Sequence, residues 1–204
     1  MKKWPKNKNF KKPGFFIEAG ASIGEQISNS IYFELKHNWT GLLVEPNPDF
    51  LKMLKPKNRK VWILPHCLST SQTVELVDFE AAEFNGGIIK NGKTLPSNLG
   101  RQTFGKPKRP NDRNIKVQCF PLQAVLEALN LPKIDYFSLD IEGAEFPVLK
   151  NLNWNKIDIS SLSVEINHSG EIFDGTREDI HKLLLKNGFE WFNLVGFDDI
   201  YAKK

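Results

Sequence analysis

The sequence predicts an α/β protein built on a mostly parallel sheet with helices between its strands. Three observations carry this. Short apolar runs at Phe15–Ile17 and Gly41–Val44 have the length of buried parallel strands, and Val61–Leu64 reads as a third strand. Helical patterns alternate with them. Acids then close one run after another, at Glu18, Glu45, Asp140 and Glu165. In a parallel sheet those ends share one edge, where ligands bind.

The stretch FFIEAGASIGE, Phe15 to Glu25, opens the pattern. Gly20 and Gly24 frame a turn after the first strand. Ser22 with Glu25 has the form of a capping box, and Ile23, Ile27, Ile31 and Leu35 recur every four residues. Strand, glycine turn and helix are expected in that order. The middle glycine of the dinucleotide fingerprint is missing, so a ligand without a phosphate at that point fits better. Glu18 is placed to face an ammonium group.

The chain has 204 residues, 40% of them hydrophobic, which suits one domain over 14–204. No apolar run approaches membrane-spanning length. No signal peptide is expected, because no apolar stretch follows the basic start. A cytoplasmic location is the corresponding expectation. Cys67 and Cys119 have no metal or redox spacing; free thiols in a reducing compartment are the simple reading, with one disulfide the alternative.

The net charge of +4 is unevenly spread. Residues 1–13 contribute +6 and residues 90–116 contribute +7, leaving the rest of the chain at −9. Residues 1–13 read as a disordered basic tail. Residues of about 80–114 hold no period and are rich in glycine and proline, which reads as a basic lid or substrate-binding insertion. Lys and Arg of both segments suit an anionic partner, RNA or a phosphorylated substrate, or are simply solvated.

Glu45, 21 residues after Gly24, stands at the tip of the second strand, placed to accept bonds from ribose hydroxyls. Pro46 and Asn47 follow it, and a helix begins near Pro48. His66-Cys67-Leu68-Ser69 sits where an adenine would lie. Val74–Phe79 alternates as an exposed strand. Pro121–Leu129 is an amphipathic helix. Ile134 to Leu139 leads to Asp140, then Glu142 and Gly143, then a short helix that tolerates Pro147 in its first turn. Leu162–Ile166 ends in Glu165, Asn167 and His168. Thr176–Asn187 is a helix stopped by Gly188. The last two strands, Phe189–Leu194 and Ile200–Tyr201, form an antiparallel hairpin.

The segments FFIEAGASIG, LLVEPNP, HCLS, IDYFSLDIEGAE and SLSVEIN together resemble the FkbM-type S-adenosylmethionine-dependent methyltransferases, over about Phe15 to Asn167. IDYFSLDIEGAE is the most specific part. The resemblance implies a Rossmann-like class I methyltransferase fold: a mostly parallel seven-stranded sheet with an antiparallel last strand and helices on both faces. It implies that Gly20, Ala21, Ser22 and Gly24 line the methionine moiety of S-adenosyl-L-methionine. Glu45 would hold the ribose, Cys67, Leu68 and Ser69 the adenine, and Asp140 and Glu142 would stand beside the methyl group. The family acts mainly on hydroxyls of sugars and natural products. The basic tail and insertion depart from its pattern.

Methyl transfer to a hydroxyl needs alignment and a base. Asp140, Glu165 and His168 are the available bases, and His168 has the best-matched intrinsic pKa. A divalent metal bridging Asp140, Glu142 and Glu165 fits hard-cation chemistry, though no spacing fixes it. Three functions follow: O-methylation of a small or carbohydrate acceptor, methylation of RNA through the basic segments, or a non-enzymatic binding module. The Lys-Asp-Lys-Glu set of ribose 2′-O-methyltransferases is not evident, since the strand before Asn167 ends in Glu165.

Overall fold

Five consecutive buried residues make β1 the natural centre of a sheet, since a strand covered on both faces needs apolar side chains in both directions. The computed structural model describes residues 12–82, 86–93, 113–131 and 133–204. In chain order the strands are β1 (Phe15–Ala19), β2 (Thr40–Val44), β3 (Val61–Leu64), β4 (Cys67–Leu68), β5 (Glu75–Ala81), β6 (Arg113–Phe120), β7 (Lys133–Ile134), β8 (Tyr136–Leu139), β9 (Asp158–Ile159), β10 (Ser161–Glu165), β11 (Phe189–Val195) and β12 (Asp198–Lys203). The helices are α1 (Ile31–His37), α2 (Pro48–Leu54), α3 (Leu122–Ala128), α4 (Glu145–Lys150) and α5 (Arg177–Lys186), with a 3-10 turn at Lys55–Lys57.

The main sheet has seven strands in the order β11-β12-β10-β8-β1-β2-β3. β1 pairs in parallel with β2 and with β8, and β8 with β10. Only β12 runs against its neighbours β10 and β11, as the short hairpin requires. The chain builds outward from β1 to β3 and later returns on the other side as β8 and β10. The strand order therefore reverses between β1 and β8, the place where α/β sheets bind ligands.

Alternate residues of each central strand reach opposite faces. Ile17, Ala19, Leu42 and Val44 pack with Leu126 of α3, Val148 of α4 and Ile180 and Leu184 of α5. Phe16 and Leu43 pack with Leu51 and Leu54 of α2 and with Phe33 of α1. Helices thus cover both faces. α5 starts on a full capping box at Thr176 and Asp179, and Gly188 takes a left-handed φ of +83° beyond its end.

Two additions lie outside the main sheet: a three-stranded sheet β4-β6-β5 and the pair β7-β9. β5 and β6 run to Ala81 and from Arg113, so order reaches into both ends of the expected 80–114 insertion. Residues 86–93 dock back on β5, where Glu80 N donates to Gly87 O at 2.9 Å and Ile89 N to Asp78 O at 2.8 Å. The rest of the insertion, 83–85 and 94–112, lies outside the described residues, as do residues 1–11 of the basic tail.

The expectation of free thiols is corrected. Cys67 and Cys119 face each other in the β4–β6 register and form a disulfide, closing a separation of 52 residues. Reduction is expected to destabilise the chain by about 2–4 kcal/mol, lowering Tm by roughly 5–15 °C. Thermal melts with and without a phosphine reductant, with intact mass to verify the bond, measure this.

The expected helix from Ser22 is also corrected. Residues 21–30 are turns, with Ser22 at φ +49° and Ile27 at φ +60°, and α1 begins only at Ile31. The cause is the buried acid in β1. Glu18 is 3% exposed and needs donors. It takes Ser28 Oγ at 2.8 Å, Asn29 N at 2.7 Å and Ser30 Oγ, which pins the loop in a non-helical path. The four-residue spacing marked no core face: Ile27 is 79% and Leu35 70% exposed. The Ser22–Glu25 box does not form; Glu25 instead pairs with Lys57.

Candidate functional site

A crevice of about 140 Å³ opens at the carboxyl ends of β1, β2 and β8. Gly20 forms its floor. Gly20 N and Ala21 N both donate to Val44 O, at 3.1 and 3.2 Å, which laps the turn over the end of β2. Gly20 sits at φ +85°, and a Cβ there would lie 1.8 Å from the Asp140 carbonyl oxygen. Only glycine lets β1 and β8 approach so closely.

Glu45 forms one wall. Its Oε2 accepts from Ser22 N and its Oε1 from Asn47 N, both at 2.7 Å. Two backbone donors thus fix the carboxylate while each oxygen keeps a lone pair for a ligand. Burial lifts this carboxyl to about 7, against the lowering effect of those two bonds. The cap of the next helix is Asn47, whose Oδ1 accepts from Asp49 N at 3.0 Å.

Cys67 and Leu68 line the far end of the crevice, with Phe50 and Phe79 adding apolar surface. Asp140, Ile141 and Glu142 form the opposite wall. Glu142 at φ +59° and Gly143 at φ +94° turn the chain sharply after β8. Burial raises Asp140 to about 7, with Asp198 and Glu18 adding like charge. Burial raises Glu142 to about 8, helped by Asp140, Glu145 and Glu171.

The crevice therefore brings together Gly20, Ser22, Glu45, Pro46, Asn47, Cys67, Leu68, Asp140 and Glu142 of the expected residues. Others lie elsewhere. Glu18 is turned into the 28–30 loop rather than toward a ligand ammonium. Ala21 belongs to the core cluster under α2, and a Cβ on Gly24 would meet Leu54 Cδ1 at 2.1 Å, a packing role. Ser69 is bonded to Glu75 and Ser71. His168 is 3% exposed and does not line the crevice; its ring lies 3.1 Å from Asn167 Nδ2, 3.2 Å from Glu171 Oε1 and 3.6 Å from Glu142 Oε2. Its place is interior, and it joins the turn after β10 to Glu142. Glu165 lies behind Asp140, at the end of the neighbouring strand.

The sequence reading missed Ile27, Phe50, Phe79, Ile88 and Ala144 at the crevice. Apolar lining residues carry no spacing signal. Glu145 was also missed. It is fully buried, and its Oε1 accepts from Ile141 N at 2.8 Å and Gly143 N at 3.2 Å, tying the turn together. An acid two residues after Gly143 was visible, but its inward direction follows from the two left-handed residues before it.

A seven-stranded sheet with one antiparallel strand, a glycine turn after β1, an acid closing β2 and a crevice where strand order reverses define the class I methyltransferase arrangement. Residues 18–191 match the Methyltransferase FkbM domain, and the chain belongs to this family of S-adenosylmethionine-dependent methyltransferases. No curated protein matches. Among solved structures it is similar to the methyltransferase FkbM from Methylobacillus flagellatus KT, with 13% identity, a TM-score of 0.49, and coverage of 93% of this chain and 43% of that one. It is also similar to a TehB-like SAM-dependent methyltransferase from Corynebacterium glutamicum ATCC 13032, with 10% identity, a TM-score of 0.42, and coverage of 95% and 82%. LepI in complex with SAM shows 10% identity and a TM-score of 0.42, with 98% and 45% covered. The chain spans under half the length of the first and third of these. None reaches a TM-score of 0.5, so the family match alone establishes membership. Among the described residues, no helix is long and apolar enough to cross a membrane.

Proposed function

We propose that this chain is an S-adenosylmethionine-dependent methyltransferase that methylates a hydroxyl of a sugar or another small molecule. The observation that carries it is the fixed Glu45 carboxylate facing a crevice that also holds the Gly20 turn and Asp140. The residues fit the donor. Glu45 has one lone pair per oxygen left for a ribose diol, Cys67 and Leu68 offer apolar surface for a base, and Gly20 and Ser22 border the space for an amino-acid end. When bound, the donor supplies a sulfonium-activated methyl group. The chain contributes alignment of the two partners. Asp140 and Glu142 line the crevice, and in this reading they hold the acceptor hydroxyl and take its proton. His168, behind Glu142, acts as a positioning residue.

A small acceptor suits the described basic residues. Arg113 pairs with Asp49 at 3.3 Å, Lys116 pairs with Asp78 at 2.8 Å, and Lys90 lies over the Phe173 ring. These three cations are engaged within the chain. A cytoplasmic location remains an expectation from composition alone, and the Cys67–Cys119 bond favours an oxidising compartment instead.

Calorimetry with S-adenosylhomocysteine followed by a panel of hydroxylated acceptors tests the reading. Saturable binding and methyl transfer to a sugar or small alcohol support it. Absence of binding at millimolar ligand overturns it. A salt-sensitive shift on RNA, with turnover on RNA alone, would replace the acceptor class.

A further inference from the structure

We propose that Asp140, Glu145 and Glu165 form a binding site for one small divalent cation of the magnesium, manganese or calcium class. Each residue offers one carboxylate oxygen, and the three lie within 4.8 Å of one another. Oxygens sharing one such ion, each at 2.1–2.5 Å from it, stand about 3–5 Å apart. The donors come from the end of β8, the start of α4 and the end of β10, so the folded sheet rather than a local motif assembles the set.

The two buried members supply an independent sign of a missing ligand. Glu145 is 0% and Glu165 6% exposed. One oxygen of each is anchored by backbone: Glu145 Oε1 by Ile141 N and Gly143 N, and Glu165 Oε1 by Asn167 N at 2.7 Å. The other oxygen of each, Oε2, is buried and has no hydrogen-bond donor among the described residues. Among the described residues no lysine or arginine is paired with any of the three. Buried carboxylate oxygens left bare in this way are costly unless they are protonated or meet a cation. An all-carboxylate set is hard, which favours these ions over softer metals. Asp140 lies on the crevice wall, which gives an ion a way in and open positions for water.

This set corrects the expected bridge, which had Glu142 in place of Glu145. Glu142 points instead toward His168. The cation site stands on the chain's own geometry and does not depend on the methyl-transfer reading.

The test is manganese binding to chelator-treated protein at pH 7.5, without any nucleoside, followed by electron paramagnetic resonance. One equivalent should bind. Affinity should fall at least tenfold in Glu165→Gln and in Asp140→Asn, and stay within twofold in Glu171→Gln, whose carboxyl lies outside the set. In the wild-type chain, bound manganese should broaden the amide signals of Ile141, Gly143 and Asn167 ahead of others, a readout that needs no variant to fold. No binding at millimolar manganese, an unchanged affinity in both variants, or broadening centred elsewhere would overturn the proposal. Manganese binding without any binding of S-adenosylhomocysteine would leave the site standing and remove the proposed enzymatic function.

Discussion

Glu45→Ala is expected to weaken S-adenosylhomocysteine binding by at least about 100-fold, and Glu45→Gln by at least roughly tenfold. A ribose diol would give the carboxylate two charge-assisted bonds, each contributing about 1.5–3 kcal/mol. Alanine removes both. Glutamine keeps the shape but leaves one neutral oxygen as acceptor and sets its NH2 donor against the N–H of Ser22 or of Asn47. Calorimetry measures the loss, and far-UV circular dichroism checks that β2 and the turn survive. Wild-type affinity retained in the alanine variant would sink the ribose role of Glu45.

The same carboxyl sets a pH dependence. Burial holds it at about 7 in the free chain. Below that value it is mostly protonated and has lost an acceptor; above it the carboxylate is complete. Affinity for S-adenosylhomocysteine is therefore expected to rise with pH, by about tenfold between pH 6 and pH 8 if only the ionised form binds. Binding near pH 7 should also release a proton, which shows as a buffer-dependent heat. The profile should flatten in Glu45→Gln.

Arg59→Ala is the substitution expected to damage the fold most, by about 3–5 kcal/mol. Arg59 has 4% of its side chain exposed and pairs with Glu34, 10% exposed, at 2.6 Å. It also donates to Gly24 O, to Ser28 Oγ at 3.3 Å and to Ser30 Oγ at 3.2 Å. One guanidinium thus joins the crevice loop to α1. Removing it takes the counter-charge from the Glu34 carboxylate and a donor from the Gly24 carbonyl, while the Ser28 and Ser30 hydroxyls keep their bonds to Glu18. Lysine cannot replace the fork, because a point ammonium reaches fewer of these acceptors. Urea unfolding measures the loss, and Tm should drop by roughly 6–20 °C. A change under 1 kcal/mol would show that the contact is not fixed in solution.

Much of this was legible in the residues. The apolar runs named β1, β2, β8 and β10 because strands buried on both faces are mostly apolar, and the same kind of run named β3, although β3 is an edge strand with Trp62 exposed. Glu45 and Asp140 were visible as acids closing such runs, and both reach the crevice. The errors have a common origin. The Ser22 helix, the ammonium role of Glu18 and the free thiols all rest on near neighbours in sequence. Each was decided by partners in space: the Glu18 carboxylate drawing in residues 28–30, and Cys119 lying opposite Cys67 across paired strands.

The sequence by itself determined the order of strands and helices, the family, and the acids at the sheet edge, because hydrophobic period and strand-end chemistry are written locally. Only the tertiary structure decided which acids face the crevice, which hold a loop and which gather behind it. That sorting depends on where β8 and β10 place their ends beside β1. Burial then makes every unpaired carboxylate oxygen count, and no spacing along the chain records which oxygens those are.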